Sequence, residues 1–475
     1  MEAIKNKKLY ELISIVVENG IEKINECIAK SYYMPRHLNY PTVHYSKENG
    51  MPRINTTSLG EDRPIDYESF FLPFSPDIDI NEIRGYQEYK EYLLQDKRIN
   101  EYFSPKKYIF PGKDESSITV HRIKNMATNL MSRHLQFKKE GFCKDKFTED
   151  YVLIENCIYQ ETLPLEVFIP ILFTNFDFEE YEINESMSII KMNNDIQKSR
   201  ITRQYYPIPI PSAVLEGATH TLVLKGLELK NNSYWDINSV LSKPESYPQA
   251  KINLFFNSMR IATDVNTGYA QLIAKPINWA ESYESDLVPL HGTTIKSYPS
   301  NFDNYYWLSS ALPTLTLKDV QKIKDVFNTF VKTEDKKLLL ANRRLHQCYM
   351  RENEEDSILD ATIAMEALLS DGERGELTHK LSLRMAVLLK LSPDIQMETI
   401  EVFNAVKHIY GYRSSVVHGS SKVSSKREIK IPSGEPIPTI ELAITLLRSA
   451  IQVLLNHPKY LDPKKIDEDL LLKDI

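Results

Sequence analysis

The stretch TLKDVQKIKDVFNTFVKT, residues 316–333, marks the point at which the chain changes from strand patterns to helix patterns. Its apolar residues recur every three or four positions, which is the spacing of one face of an α-helix. These residues are Leu317, Val320, Ile323, Val326, Phe327 and Phe330. The stretch therefore predicts an amphipathic helix that opens a helical C-terminal region.

Further helical patterns follow this stretch, and the connections between them are short enough for antiparallel packing. The predicted helices span residues 334–350, 355–370, 376–391, 394–418 and 438–456. Together with the first helix, they predict an all-α bundle from residue 313 to residue 475.

Short runs rich in β-branched and aromatic residues precede the bundle, and such runs are typical of strands. The runs are YVLIENCIY (151–159), LEVFIPILF (165–173), SMSIIKM (186–192), HTLVLKGLEL (220–229) and KINLFFNSMRIA (251–262). They predict an antiparallel or mixed sheet between residues 146 and 312.

The first part of the chain combines helical patterns with turn-rich stretches. An apolar stripe predicts an amphipathic helix over residues 3–30, and shorter patterns predict helices near 81–97 and 116–136. We therefore predict an α+β protein with a helical, loop-rich segment 1–145, a strand-rich segment 146–312 and a helical bundle 313–475. The first two segments are expected to form one sensing or substrate-selecting unit.

Composition limits the classes of partner and cofactor. A formal net charge of -7 opposes indiscriminate attraction to nucleic acid, so any RNA contact needs a local basic patch. The four cysteines form no CxxC pair or Cys/His cluster, which gives no support for a disulfide framework or a zinc site. His37, His44, His121 and His134 lack metal-ligand spacing, which leaves a metal-dependent hydrolase little support. We expect no metal and no cofactor.

The N-terminus carries only a six-residue apolar run interrupted by a serine, and no segment approaches the roughly 20 apolar residues of a membrane span. We therefore expect a cytoplasmic protein without membrane contact.

The helix end YGYRSSVVHGSSK, residues 410–422, holds the candidate catalytic pair Arg413 and His418. Arg413 continues the apolar seam of the predicted helix, where a guanidinium needs a carboxylate or a bound phosphate as its partner. His418 lies about 140° further round the helix, on a narrow face with Gly411 and Ser414. Small residues on that face would let a second helix approach, for example from a second subunit. Gly419 is the predicted C-cap.

The spacing of this pair is weak evidence of function by itself. RGELTH, from Arg374 to His379, has the same spacing, and we interpret it as structural. An arginine and a histidine at a helix end also fit a structural salt bridge with a capping imidazole.

Three motifs occur in order on consecutive predicted helices: ILDATIAMEALLSD (358–371), GELTHKLSLRMAVLL (375–389) and IYGYRSSVVHG (409–419). Their order and character resemble the HEPN superfamily, specifically its Apea-like branch, over residues 316–460. The resemblance implies a metal-independent endoribonuclease whose composite site, at a dimer interface, uses Arg413 and His418. Many active members have Asn, Asp or His directly after the arginine, whereas Ser414 stands there in this chain.

Several residues near the pair are predicted to support it. Glu366 is predicted to pair with Arg413 or Arg384. Tyr410 is predicted either to stack on a base or to pack inside the bundle, as is Tyr412. His408 is expected to be exposed or at an interface.

The loop after the helix forms a local basic strip, which fits an RNA path and a solvated loop equally well. Its cationic residues are Lys422, Lys426, Arg427 and Lys430.

The resemblance also implies a biological role, because Apea-like proteins are associated with bacterial abortive infection against phage. The predicted function is a homodimeric antiviral toxin that cleaves RNA by 2′-hydroxyl attack, with tRNA or mRNA as candidate substrates and a phage-derived trigger. The alternative is a non-catalytic HEPN module for dimerisation and for RNA or nucleotide binding.

Overall fold

A computed structural model of the chain describes residues 4–30, 34–56, 63–72, 78–105, 115–139, 141–202, 208–308, 310–372, 376–419, 423–430 and 435–473. The α-helices, numbered in chain order, are α1 Lys7–Lys30, α2 Tyr86–Gln95, α3 Lys97–Phe103, α4 Glu115–Phe137, α5 Lys144–Tyr159, α6 Asn194–Thr202, α7 Ser212–Glu216, α8 Tyr234–Leu241, α9 Gln249–Thr263, α10 Leu317–Lys332, α11 Lys336–Met350, α12 Glu354–Leu369, α13 Leu377–Leu388, α14 Thr399–Val417, α15 Thr439–Asn456 and α16 Pro463–Ile466. The strands are β1 Thr42–His44, β2 Arg53–Asn55, β3 Thr162–Pro170, β4 Asn175–Phe176, β5 Glu180–Asn184, β6 Met187–Lys191, β7 His220–Lys230, β8 Tyr269–Pro276, β9 His291–Ser297, β10 Thr314–Leu315, β11 Glu428–Ile429 and β12 Ile437–Pro438.

The chain divides into two compact units. Unit 1 contains residues 1–170, 179–247 and 270–296, and unit 2 contains residues 171–178, 248–269 and 297–475. The α+β fold class is confirmed, because a six-stranded sheet precedes a helical C-terminal region. The three sequence segments 1–145, 146–312 and 313–475 stay a prediction about organisation.

The sheet of unit 1 has the strand order β5-β6-β7-β3-β8-β9. Strand β7 pairs antiparallel with both β3 and β6, and β3 pairs antiparallel with β8. The β3–β7 register shifts between Leu165 and Val167, opposite Gly226 at φ +75°. Glycine reaches this backbone conformation without steric cost, so the two long strands stay paired across a bulge.

Two runs predicted as strands are helices. YVLIENCIY lies in α5, which buries Phe147, Tyr151, Ile154 and Ile158, and KINLFFNSMRIA lies in α9. The strand prediction is wrong in both places because it weighted β-branched and aromatic composition above the three- and four-residue spacing of the buried positions. The runs in β3, β6 and β7 are strands as predicted.

Helices α1, α2 and α4 pack together in unit 1. The helix predicted over residues 3–30 corresponds to α1, and the one predicted over 116–136 corresponds to α4. The helix predicted near 81–97 corresponds to α2 and the start of α3. Gly20 of α1 allows a close approach, because a Cβ atom there would overlap the side chain of Met131 in α4. The apolar stripe of α1 is buried against this neighbour.

The predicted C-terminal bundle is confirmed as a helical region whose core is shared by helices α9 to α15. Side-chain caps set three of the helix starts: Thr316 and Asp319 bond each other's backbone N–H at α10, Asp335 accepts from Leu338 at α11, and Asn353 accepts from Glu355 at α12. Helix α12 contacts α11, α14 and α15, which places it at the centre of the packing around the candidate site.

Among the described helices, α15 is long and apolar enough to cross a membrane by length and composition, with a mean hydropathy of 1.3. However, 67% of that segment is buried inside the protein. It also contacts α11, α12 and α14. This burial is that of a core helix.

Candidate functional site

Helix α14 carries both residues of the candidate pair. It begins at Thr399 rather than near residue 394, because Glu398 and Glu401 form a reciprocal capping box. It ends at Val417, with His418 as the C-cap residue and Gly419 in the left-handed region at φ +57°. The Gly419 N–H donates to the carbonyl of Val416 at 3.2 Å. The predicted C-cap at Gly419 is wrong by one residue, because His418 is the C-cap and lies just beyond the last helical residue.

The guanidinium of Arg413 is half-buried and lacks a carboxylate partner within the described residues. Its Nε atom is buried and makes no hydrogen bond to the described part of the chain. By contrast, His418 is exposed at the helix end, and Ser414 is exposed next to Arg413. The site therefore presents an accessible imidazole and a cation that forms no ion pair with a described carboxylate.

The charges of Arg413 and Glu366 both act on the Tyr410 hydroxyl. Its side chain is 6% exposed, and its hydroxyl donates to the carbonyl of Thr362 at 3.4 Å. Burial raises the pKa of Tyr410 most, the negative charge of Glu366 raises it further, and the positive charge of Arg413 opposes the rise. Tyr410 therefore belongs to the core of the bundle, with both charged side chains close enough to affect its hydroxyl.

The predicted ion pair of Glu366 is not found among the described residues. Arg384 instead binds Asp371 at 2.7 Å and Asp467 at 2.6 Å. Glu366 is half-buried and affects the site through its charge near Tyr410. A sequence pattern could not reveal this arrangement, because Asp467 lies 83 residues after Arg384.

The narrow face at Gly411 is covered by the chain itself. Lys426 Nζ donates to the carbonyl of Gly411 at 2.8 Å. The sequence predicts that a second helix can approach at Gly411, but the Lys426 side chain occupies this position. The carbonyl of Lys426 accepts from His408 Nε2 at 3.1 Å and from Thr439 Oγ1 at 2.7 Å. His408, expected to be exposed or at an interface, is half-buried and helps to hold the loop.

The four basic residues of the loop have different surroundings. Lys422 lies outside the described residues, and Lys426 is half-buried on α14. Arg427 is exposed, with its Nε atom 4.0 Å from Glu354 Oε2, and Lys430 is exposed. The loop between α14 and α15 includes the short antiparallel pair β11–β12. Sequence reasoning missed His408 and Thr439 as anchors of this loop, because nothing in their local sequence points to a shared carbonyl.

Tyr412 and His379, two further residues considered from the sequence, lie against residues of the helical bundle. Tyr412 is 1% exposed, and its buried hydroxyl oxygen has Arg427 as a polar neighbour. Burial raises the pKa of Tyr412, and the charge of Glu354 raises it further. His379 is exposed and contacts Phe403 edge-on at 5.5 Å, whereas Arg374 lies outside the described residues.

Comparisons with protein-family models, curated proteins and solved structures gave no match. Within the described ranges, the chain holds no group of three or more His, Cys, Asp or Glu side chains arranged to bind a metal ion. The functional reading of α14 therefore depends on the residues and their surroundings.

Proposed function

We propose that the chain is a metal-independent endoribonuclease that acts as a homodimer in bacterial anti-phage defence. The observation that supports this proposal is the half-buried guanidinium of Arg413, which has no carboxylate partner in the described chain while His418 is exposed nearby. A half-buried guanidinium that forms no ion pair is open to an anionic ligand, and a phosphate diester would bind it with matching bidentate geometry.

In this mechanism, the RNA provides its own nucleophile. A base removes the proton of a 2′-hydroxyl, the 2′-oxygen attacks the adjacent phosphorus, and the bond from phosphorus to the 5′-oxygen breaks. An acid protonates the leaving 5′-oxygen. The products are a 2′,3′-cyclic phosphate and a 5′-hydroxyl, and no water or metal ion is consumed.

His418 and Arg413 have separate roles in this reaction. Imidazole both accepts and donates protons near neutral pH, so we assign His418 as the general acid or base. Arg413 holds the phosphate and stabilises the negative charge that develops on its oxygens. Glu366 positions this chemistry through its charge near Tyr410, and Ser414 offers a hydroxyl to the phosphate from its exposed position.

A homodimer is proposed because one helix does not direct both side chains to the same point. Arg413 and His418 are separated by about 140° around α14 and by about 7.5 Å along it. Two copies would supply one histidine as base and one as acid. Val417 precedes His418 and is 51% exposed, so it offers apolar surface for contact with a second copy.

Arg427 and Lys430 are the described cations proposed to contact the RNA backbone beyond the site, because both are exposed. Lys422 is proposed for the same role from its sequence position, while Lys426 would act by holding the loop. Unit 1 would control the nuclease in response to a phage-derived trigger, with tRNA or mRNA as candidate substrates in the cytoplasm.

The test is cleavage of RNA by purified full-length protein with a metal chelator present. We expect products that end in a 2′,3′-cyclic phosphate, and we expect His418→Ala and Arg413→Ala each to lower the cleavage rate by at least 100-fold. His379→Ala is the matched control, because it removes an exposed histidine of the same unit. Equal cleavage by folded His418→Ala and wild-type protein would refute the assignment.

The second candidate function is a non-catalytic HEPN module for dimerisation and for RNA or nucleotide binding. It is favoured by Lys426, which covers Gly411 on the face expected to admit a second helix at the catalytic site, and by Ser414, which stands where many active members have Asn, Asp or His. RNA binding that depends on Arg413 without any cleavage, under conditions in which the dimer forms, would support this alternative over the nuclease.

A further inference from the structure

Unit 1 contains a cavity of about 630 Å³. Its walls come from α3, α4, α5 and α8, from residues 66–72 and from the loop 281–285 between β8 and β9. This volume lies in the range of small-molecule binding sites, roughly 300–1,000 Å³. None of its lining residues belongs to the predicted nuclease motif.

The carboxylate of Glu68 is held on the wall of this cavity by a fixed amide. Asn129 Nδ2 donates to Glu68 Oε1 at 2.9 Å, and Asn129 Oδ1 accepts from the Tyr283 N–H at 2.7 Å. Asn129 Nδ2 also donates to the Tyr283 carbonyl, so the amide bonds both backbone groups of one residue. Asn129 is the described side chain that donates to Glu68, and it bonds one carboxylate oxygen, so the other remains as an acceptor on a residue that lines the cavity.

Negative charge predominates among the lining residues, which include Asp66, Glu68, Glu281 and Glu284 against Arg122. The Arg122 guanidinium lies 4.5 Å from the ring centre of Tyr234 and donates from Nη1 to the Tyr234 hydroxyl at 2.7 Å, while its buried Nε atom has no hydrogen-bond partner in the described chain. The field inside the cavity therefore favours a cation over an anion.

Aromatic side chains form the rest of the surface that a ligand would meet. Tyr102, Phe103 and Tyr283 line the cavity. The Tyr102 hydroxyl contacts Cys157 Sγ at 3.2 Å, and the Tyr283 hydroxyl donates to the Asp150 carbonyl at 2.7 Å. Since these hydroxyls are occupied, the two tyrosines contribute ring surface, which attracts both ammonium groups and alkyl chains.

A second cavity of about 480 Å³ adjoins the first one. The two share the lining residues His37, Asp66, Ser69, Glu284 and Ser285. Because the two cavities lie side by side, a chain-like ligand is the class that can contact the walls of both.

We propose that this cavity binds a small polyamine-type alkylammonium compound, with one ammonium group on Glu68 and its methylene chain along Tyr102, Phe103 and Tyr283. This site goes beyond the proposed nuclease function and does not depend on it. Occupancy of unit 1 would then depend on the concentration of this ligand in the cell.

The experiment is isothermal titration of full-length protein with spermidine, in a His418→Ala background so that a nuclease is silent. We expect one site per chain and at least tenfold weaker binding after Glu68→Gln, which preserves shape and removes the charge. Glu18→Gln is the matched control, because it removes an exposed carboxylate of the same unit. Absence of spermidine binding, equal weakening by both variants, or equally tight binding of Mg²⁺ at the same site would each overturn the proposal.

The pH dependence provides a second readout. Burial raises the pKa of Glu68 to about 7, and the charges of Asp66 and Glu284 add to the rise. An alkylammonium group stays protonated between about pH 6 and pH 8, while Glu68 becomes ionised, so affinity should increase about tenfold over this range. Asp66, Glu281, Glu284, His37 and Arg122 also face the cavity. If the increase persists in Glu68→Gln, another of these groups controls binding and the assignment to Glu68 is wrong.

Discussion

Replacement of Arg384 by methionine should destabilise unit 2 strongly. The guanidinium donates from Nη1 to the Leu369 carbonyl at 2.7 Å, from Nη2 to Asp371 at 2.7 Å, and to both oxygens of Asp467 at 2.9 and 2.6 Å. The side chains of Arg384 and Asp371 are only 4% and 8% exposed. Methionine keeps much of the aliphatic volume but leaves Asp371 buried without its cation.

The magnitude follows from that unpaired acid. Removing one partner of a buried ion pair costs about 3–5 kcal/mol. Because each 1.4 kcal/mol is a factor of ten, backbone amides of α13 that exchange through opening of unit 2 should exchange roughly 100- to 5,000-fold faster. Hydrogen exchange measured by mass spectrometry reports these amides separately from those of unit 1.

Arg343→Met is the matched control, because Arg343 is an exposed arginine of the same unit. It should change the exchange of α13 by less than about fivefold, as expected for surface substitutions. If Arg384→Met changes the exchange as little as Arg343→Met does, the four hydrogen bonds do not hold the bundle together and the reasoning fails.

Three other predictions concern stability and the loop. Without ligand, the raised pKa of Glu68, about 7, stabilises the folded chain below the ordinary carboxyl pKa, and this contribution is lost as pH rises through 7. Glu68→Gln should therefore remove up to about 3 kcal/mol of pH dependence in urea unfolding, and an unchanged profile would contradict this. Lys426→Met should free the loop from Gly411 and speed its proteolysis at Arg427, whereas exposed Lys430→Met should not. Gly268→Ala should lower the melting temperature clearly, because an added Cβ would lie 2.6 Å from Tyr298 Cα, and a shift below about 1 °C would count against this contact.

The loop after α14 shows why the contact between Lys426 and Gly411 could not be predicted from the sequence. Lys426 and Gly411 are 15 residues apart, and Lys426 was one of several cations in a basic strip. Its neighbour Arg427 stays exposed while Lys426 turns onto the helix. The difference depends on His408 and Thr439, which fix the Lys426 carbonyl from two different helices. No local sequence pattern predicts that two residues from different helices donate to the same carbonyl.

The wrong strand predictions for α5 and α9 have a different physical cause. Helices α5 and α9 are rich in residues that also favour strands, and their buried positions become clear only when the three- and four-residue spacing is counted. The stripes of α1 and α10 were predicted correctly because polar residues separate their apolar positions, so that one period dominates. Periodicity is informative when one face is polar, and it weakens when a helix is buried on several sides.

Local sequence patterns are sufficient to predict the α+β class, the change to helices at residue 316, and the end of α14 at a histidine followed by glycine. These features depend on local spacing and on backbone conformations that one or two residues select. Three other features become visible once the chain is folded: Arg384 binds Asp371 and Asp467, Glu366 has no ion pair in the described chain, and a cavity forms beside Glu68. Partners of charged groups lie far apart in the chain, so they are chosen by the packing that brings whole elements together.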